Sequence, residues 1–118
     1  MIDLFSSDTP NGKKISIMLE EIGFEYAVKK MDLSKGDQFK EDFKEISPFS
    51  KIPAIIDHSN NKESVFESGA ILIYLAEKSG KFYEKKNKLK IDQCLMAHMV
   101  SICPFIGQYH LLNKFNRG

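Results

Sequence analysis

The order in which short apolar runs and helical patterns alternate constrains this chain more than any other feature. Ile2–Phe5 is a short apolar run that breaks at Ser6-Ser7-Asp8, which predicts a strand and a loop. Thr9-Pro10 offers a capping hydroxyl followed by proline at a first helical position. Ile15, Met18, Leu19 and Ile22 then recur at helical spacing, and Gly23 supplies a stop. A second strand is expected across residues 24–33. Ser34-Lys35-Gly36-Asp37 reads as a turn, followed by a short charged helix with Phe39, Phe43 and Ile46 on one face, ended by Ser47-Pro48. Residues 51–57 predict a buried strand opened by Pro53. A polar turn from Asp57 to Glu63 leads to a short returning strand at Ser64–Phe66, and an apolar helix through Ala70–Ala76 closes at Ser79-Gly80. The order β-α-β-α-β-β-α predicts an α/β fold with a mixed four-stranded sheet.

Composition narrows the function classes. Of 118 residues, 17 are basic and 16 acidic, for a formal net charge of +1. A balance this even leaves no electrostatic footprint for nucleic acid. Apolar residues at 42% and charged residues at 28% suit a globular chain. Met1–Phe5 lacks the basic start and long apolar stretch of a secretory signal, and no run approaches the ~18 apolar residues of a membrane span. The cytoplasm is the expected location.

Residues 81–88 read as a lysine-rich linker, with Lys85, Lys86, Lys88 and Lys90 as a solvated cluster rather than a phosphate or lipid patch. From Leu89 the pattern is helical again through Leu95, Met96, Met99, Val100 and Cys103, with Pro104 expected to interrupt it. A lone helix of this kind cannot bury its apolar face, so residues 89–118 are expected to begin a truncated helical domain. Cys94 and Cys103 have neither redox nor zinc spacing and are expected to be buried, reduced thiols. His58, His98 and His110 are scattered and expected to serve surface or packing roles, so no metal is expected.

Three constellations could carry chemistry. Thr9-Pro10-Asn11-Gly12 sits where a strand meets a helix, and a helix start with two polar side chains could hold a thiolate. The same residues also suit a plain cap and turn. Ile52-Pro53 opens an apolar strand. A cis bond there would expose the Ile52 backbone to an extended peptide, whereas a trans bond would make it an ordinary strand start. Glu67-Ser68-Gly69-Ala70 stands at a helix mouth, where Ser68 and nearby amides could hold a carboxylate and Glu67 an ammonium. Simple capping is again the alternative.

Taken in this order, these stretches resemble the amino-terminal, thioredoxin-like domain of glutathione transferases, and most of all the bacterial nu-class disulfide-bond oxidoreductases. Thr9–Gly12, Ser34–Phe39, Lys51–Ile55 and Phe66–Leu72 carry the resemblance, and Gly107-Gln108 after Pro104 extends it. The resemblance implies a glutathione site: Thr9 and Asn11 facing the sulfur as the catalytic pair, Gln38 and Lys51 near the glycyl end. Ile52, beside a cis-Pro53, would pair with the cysteinyl backbone, and Glu67 and Ser68 would hold the γ-glutamyl head. It further implies a homodimer that reduces small disulfides, or transfers glutathione to electrophiles, with the ligand supplying the sulfur. Phe49-Ser50 departs from the group, which usually has Asn or Gly before the position of Lys51. The rival readings are a non-enzymatic module that binds glutathione or a protein, and an inactive truncated remnant.

Overall fold

The computed structural model describes residues 1–97 and divides the chain into two compact units, Met1–Lys81 and Phe82–Gly118. In the first unit the elements are β1 (Ile2–Ser6), α1 (Pro10–Ile22), β2 (Tyr26–Lys30), α2 (Glu41–Ile46), β3 (Ala54–Asp57), β4 (Glu63–Phe66) and α3 (Ser68–Ser79). The sheet runs β2-β1-β3-β4, with β1 parallel to β2 and the other two pairings antiparallel. It is the mixed four-stranded sheet of a thioredoxin-like domain.

Alternation along β1 turns Ile2, Leu4 and Ser6 to one face. There Ile2 and Leu4 pack with Ile55 of β3, with Ile15, Leu19 and Ile22 of α1, and with Ile71 and Leu75 of α3. Burying each such side chain contributes about 1.5–3 kcal/mol. The opposite face carries a smaller cluster of Met31, Phe43 and Ala54, bordered by Phe5, Ile46, Ile52 and Phe66. The six-residue α2 serves this face. Helix α1 has the ends its sequence promises: Thr9 caps it, Pro10 begins it, and Gly23 closes it in the left-handed region at φ 73°.

Several boundaries differ from expectation. The second strand spans only Tyr26–Lys30, because the Asp32 carboxylate accepts from the Ser34 N–H (3.0 Å) and curls Leu33–Lys35 into a 3-10 turn. Phe39 does not share a helical face with Phe43 and Ile46. It ends a second 3-10 turn, Asp37–Phe39, and extended Lys40 separates it from α2, leaving the residue 62% exposed. The third strand begins at Ala54 rather than 51, since the Lys51 backbone is bonded to the Ser47 side chain and Pro53 has no N–H to give a ladder. The returning strand starts one residue early, at Glu63, and α3 starts at Ser68.

In the second unit a 3-10 turn at Lys85–Asn87 precedes α4 (Lys88–Ala97). The Tyr83 hydroxyl donates to the Asp92 carboxylate, and the Lys88 ammonium lies 5.7 Å from the Tyr83 ring centre. Cys94 is reduced but exposed, contrary to the burial expected of it. None of the residues of α4 is buried, and the Cys94 thiol is exposed with the rest of the helix. The expectations for Cys103, Pro104, Gly107-Gln108, His98 and His110 fall outside the described residues. Among the described residues no helix is long and apolar enough to cross a membrane.

Candidate functional site

Register across the sheet decides where the candidate residues meet. Phe5 of β1 stands opposite Ala54 of β3, and Ala54 stands opposite Phe66 of β4. Because both pairings are antiparallel, the chain leaving β1, entering β3 and leaving β4 passes the same end of the sheet. Thr9 and Asn11 follow β1, Lys51-Ile52-Pro53 precedes β3, and Glu67-Ser68 follows β4. Strand β2 ends there too: Lys30 lies opposite Ser6, and the Met31 N–H donates to the Ser6 carbonyl at 2.8 Å. Gln38 comes after that end. Residues from Thr9 to Ser68, 59 positions apart in the chain, are thus delivered to one sheet end by pairing alone.

At the start of α1, Thr9 is extended (φ −125°, ψ 155°) and its hydroxyl oxygen accepts from the Gly12 N–H at 3.2 Å. Capping and ligand contact are compatible, because the Thr9 proton remains able to donate outward. The Asn11 side-chain oxygen accepts from the Lys14 ammonium at 3.2 Å. Gly12 is required by close packing: a Cβ there would lie 2.0 Å from the Ser6 hydroxyl oxygen and 2.9 Å from the Ser7 carbonyl. That approach draws the positive end of α1 onto the end of β1.

The segment before β3 is built around a residue that sequence reading passed over. Ser47 is 1% exposed. Its hydroxyl donates to the Lys51 carbonyl (2.7 Å) and accepts from the Lys51 N–H (3.3 Å). Its own N–H donates to the Phe43 carbonyl, and its carbonyl accepts from the Ser50 N–H at 2.9 Å. Ser50 turns the chain at φ 57°, the left-handed region favoured by Asn and Gly. This is the position where the chain departs from the resembling group. The Ile52–Pro53 bond is cis. Among the described residues no backbone hydrogen bond involves Ile52, so its N–H and C=O are open to a ligand. The only sequence sign of the Ser47 role was a hydroxyl residue just past a helix, a signal too common to single it out.

After β4, Glu67 has φ 72° and ψ 121°, a conformation side chains rarely adopt. Strain of this kind clusters at ligand sites. The Glu67 side chain makes no cap bond to α3, although its carbonyl accepts from the Ile71 N–H at 2.9 Å. The first-turn amides of Gly69 and Ala70 therefore face the sheet end without intrahelical partners. Ser68 is buried at their side, while Glu67 is exposed. The Phe66 and Phe49 rings pack at a 58° tilt with centres 6.1 Å apart, joining this corner to the Ser47–Pro53 loop.

Gln38 lies in the Asp37–Phe39 turn, and its side-chain oxygen is buried without a hydrogen-bond partner among the described residues. The turn is held by Asp37, whose carboxylate accepts from the Asp32 N–H (2.8 Å) and pairs with Lys40 (3.1 Å). Those two contacts, the Asp32 N–H foremost, hold its carboxyl below the usual range. Lys51 is exposed. Among the described residues no cluster of His, Cys, Asp and Glu could hold a metal ion.

Residues 2–77 match the family model described as glutathione S-transferase, N-terminal domain. The disulfide-bond oxidoreductase YfcG of Escherichia coli is 47% identical over 96% of this chain and 55% of its own length. A glutathione transferase family member from Pseudomonas fluorescens, solved with two glutathione molecules bound, is 46% identical. It superimposes with a TM-score of 0.84 over 91% of this chain and 49% of that one. A glutathione transferase from Pseudomonas putida, solved with one glutathione disulfide per subunit, matches at 44% identity and a TM-score of 0.85, over 91% of this chain and 49% of its own. The chain thus spans about half the length of the relatives it matches. With the matched model covering nearly all of the strand-and-helix unit that brings these segments together, the chain belongs to the glutathione S-transferase family.

Proposed function

We propose that this chain carries the glutathione-binding half of a glutathione-dependent disulfide reductase or transferase. One observation carries the reading: two helix starts and the unpaired Ile52 backbone converge on one end of the sheet. That arrangement matches a γ-linked tripeptide. The Ile52 N–H and C=O pair with the cysteinyl backbone as an added strand would. The α3 amides and Ser68 take the γ-glutamyl carboxylate, and Glu67 takes its ammonium. Gln38 and Lys51 serve the glycyl end. The sulfur then lies at the start of α1, where Thr9, Asn11 and the positive helix end favour thiolate over thiol.

The chemistry follows from that thiolate. It attacks one sulfur of a small disulfide, an S–S bond forms as another breaks, and the departing thiolate takes a proton from solvent. A second glutathione thiolate attacks the mixed disulfide and releases the second thiol with glutathione disulfide, so two glutathiones are oxidised as one disulfide is reduced. An electrophile in place of the disulfide would give transfer instead. The protein needs no cysteine of its own for either route. The names and bound ligands of the relatives support this reading, under which the protein would be a cytoplasmic homodimer working on glutathione and small disulfides.

Calorimetric titration of the 118-residue chain with glutathione and with glutathione disulfide tests it. Saturable binding of either, lost in Ser68→Ala, is the expected result. Absence of binding to both by the folded protein would overturn the reading.

A further inference from the structure

We infer that Ser47 is a positioning residue of the site: its hydroxyl holds the Lys51–Ile52 segment in ligand-ready form before any ligand arrives. This rests on the glutathione-site reading above and assigns a function to a residue that would touch no part of the ligand.

The loop from Ser47 to Pro53 must do something unusual for a surface connection. It keeps the N–H and C=O of Ile52 unpaired while fixing where they point. Unpaired backbone in a mobile loop would bind poorly, because ordering each residue costs about 1–2 kcal/mol in backbone entropy. Here the ordering is already in place. The Ser47 hydroxyl grips Lys51 at both its carbonyl and its N–H, at 2.7 and 3.3 Å. Two backbone bonds fix Ser47 itself, to the last turn of α2 and to Ser50. At 1% exposure the hydroxyl is shielded from water that would otherwise compete for Lys51. The residue after Lys51 is Ile52, and Pro53 and Ala54 beyond it are buried. The open peptide is therefore clamped on both sides. Phe49, 69% exposed yet packed at a tilt against the Phe66 ring, closes the loop against the strand that leads into Glu67-Ser68. The two parts of the site are thereby held in register.

The clamp acts on Lys51, which the reading places at the glycyl end. Its loss should be felt more by a ligand that has a glycyl carboxylate than by one that lacks it. A purely structural loosening would weaken both alike. The test is calorimetric titration of the folded wild type, Ser47→Ala and Phe49→Ala with glutathione and with γ-glutamylcysteine. Melting curves would establish that each variant is folded. For Ser47→Ala the expected loss of glutathione affinity is about tenfold, the scale of a lost pair of neutral hydrogen bonds. The loss for γ-glutamylcysteine should be smaller, so that the ratio of the two affinities narrows. Phe49→Ala should move the ratio the same way by less. If Ser47→Ala does not fold, Ser47→Cys keeps the shape with a far weaker hydrogen-bonding group and takes its place. An unchanged ratio, or unchanged affinity, in a folded Ser47 variant overturns the positioning role while leaving the site intact. Failure of the wild type to bind either ligand removes the site reading, and the positioning role with it.

Discussion

The two ends of the same sheet handle their polar groups in opposite ways. At the end where Asp57 closes β3, the carboxylate is fully buried, and partners surround it: the Lys78 ammonium, the Tyr74 hydroxyl at 2.6 Å, and the Ser59 hydroxyl and N–H at 2.7 and 3.0 Å. Burial would raise its pKa, but the bonds from Lys78, Tyr74 and Ser59 outweigh burial and hold it far below the usual carboxylate range. Nearby, the His58 ring meets Asp3 at 2.8 Å and the His58 N–H donates to the Met1 carbonyl. At the other end stand an unpaired Ile52 peptide, the starts of α1 and α3, a left-handed Ser50 and a strained Glu67. One end satisfies its groups internally and stabilises the fold. The other leaves donors for something else to satisfy, and its strain is supported by the rest of the unit.

If that division is right, substitutions at the two ends should separate stability from binding. The largest effect is expected for Asp57→Asn. It removes the carboxylate charge that Lys78, Tyr74 and Ser59 all bond, and urea unfolding at neutral pH should register a loss of about 3 kcal/mol, the scale of lost charge-assisted hydrogen bonds, with glutathione affinity unchanged. The pH sign follows from the depressed pKa. The Asp57 contribution is present above the unfolded value of about 4 and is lost as pH falls below it toward the folded value. Wild type should therefore lose stability steeply on acidification, and Asp57→Asn should show a flatter acid limb. Equal acid limbs would refute the assignment.

Gly12→Ala comes next, because it crowds the joint between β1 and α1. Thermal or urea unfolding should show a cost of about 2 kcal/mol, as overpacking does, and binding should weaken as the helix start shifts. Ser68→Ala should do the reverse of Asp57→Asn. Titration should find at least a tenfold loss of glutathione affinity, with stability altered by less than about 1 kcal/mol. Retained affinity there would erase the contrast between the ends. The smallest effect is expected at Ser50. Glycine relieves the left-handed strain of about 1 kcal/mol but adds unfolded-state freedom, so Ser50→Gly should stabilise by about 0.5 kcal/mol in a careful denaturant series.

Much of the end that carries the candidate site was legible along the chain because its signals are local. The Thr9-Pro10 cap, the helical spacing from Ile15 to Ile22 and the Gly23 stop each act within a few residues, and each appears where its chemistry requires. Phe39 shows how such reading fails. Its spacing to Phe43 and Ile46 is helical, but Asp37 bonds back to the Asp32 N–H and breaks the period before the helix starts. Cys94 fails for another reason: an apolar context in sequence is not burial unless a neighbour covers it. The Asp57 cluster joins residues up to 21 positions apart, and nothing local to Asp57, Tyr74 or Lys78 announces that they meet.

By itself, then, the sequence determined the order of the strands and α-helices, both ends of α1 and the family to which the chain belongs. These follow from periodicity, capping and turn chemistry, which operate over short stretches of chain. Tertiary structure alone decided that Phe5, Ala54 and Phe66 share one row of the sheet, that Ser47 reaches back over Lys51, and that Asp57 finds Lys78. Those outcomes depend on strand register and on packing across the sheet, where one residue of slip turns every side chain to the opposite face.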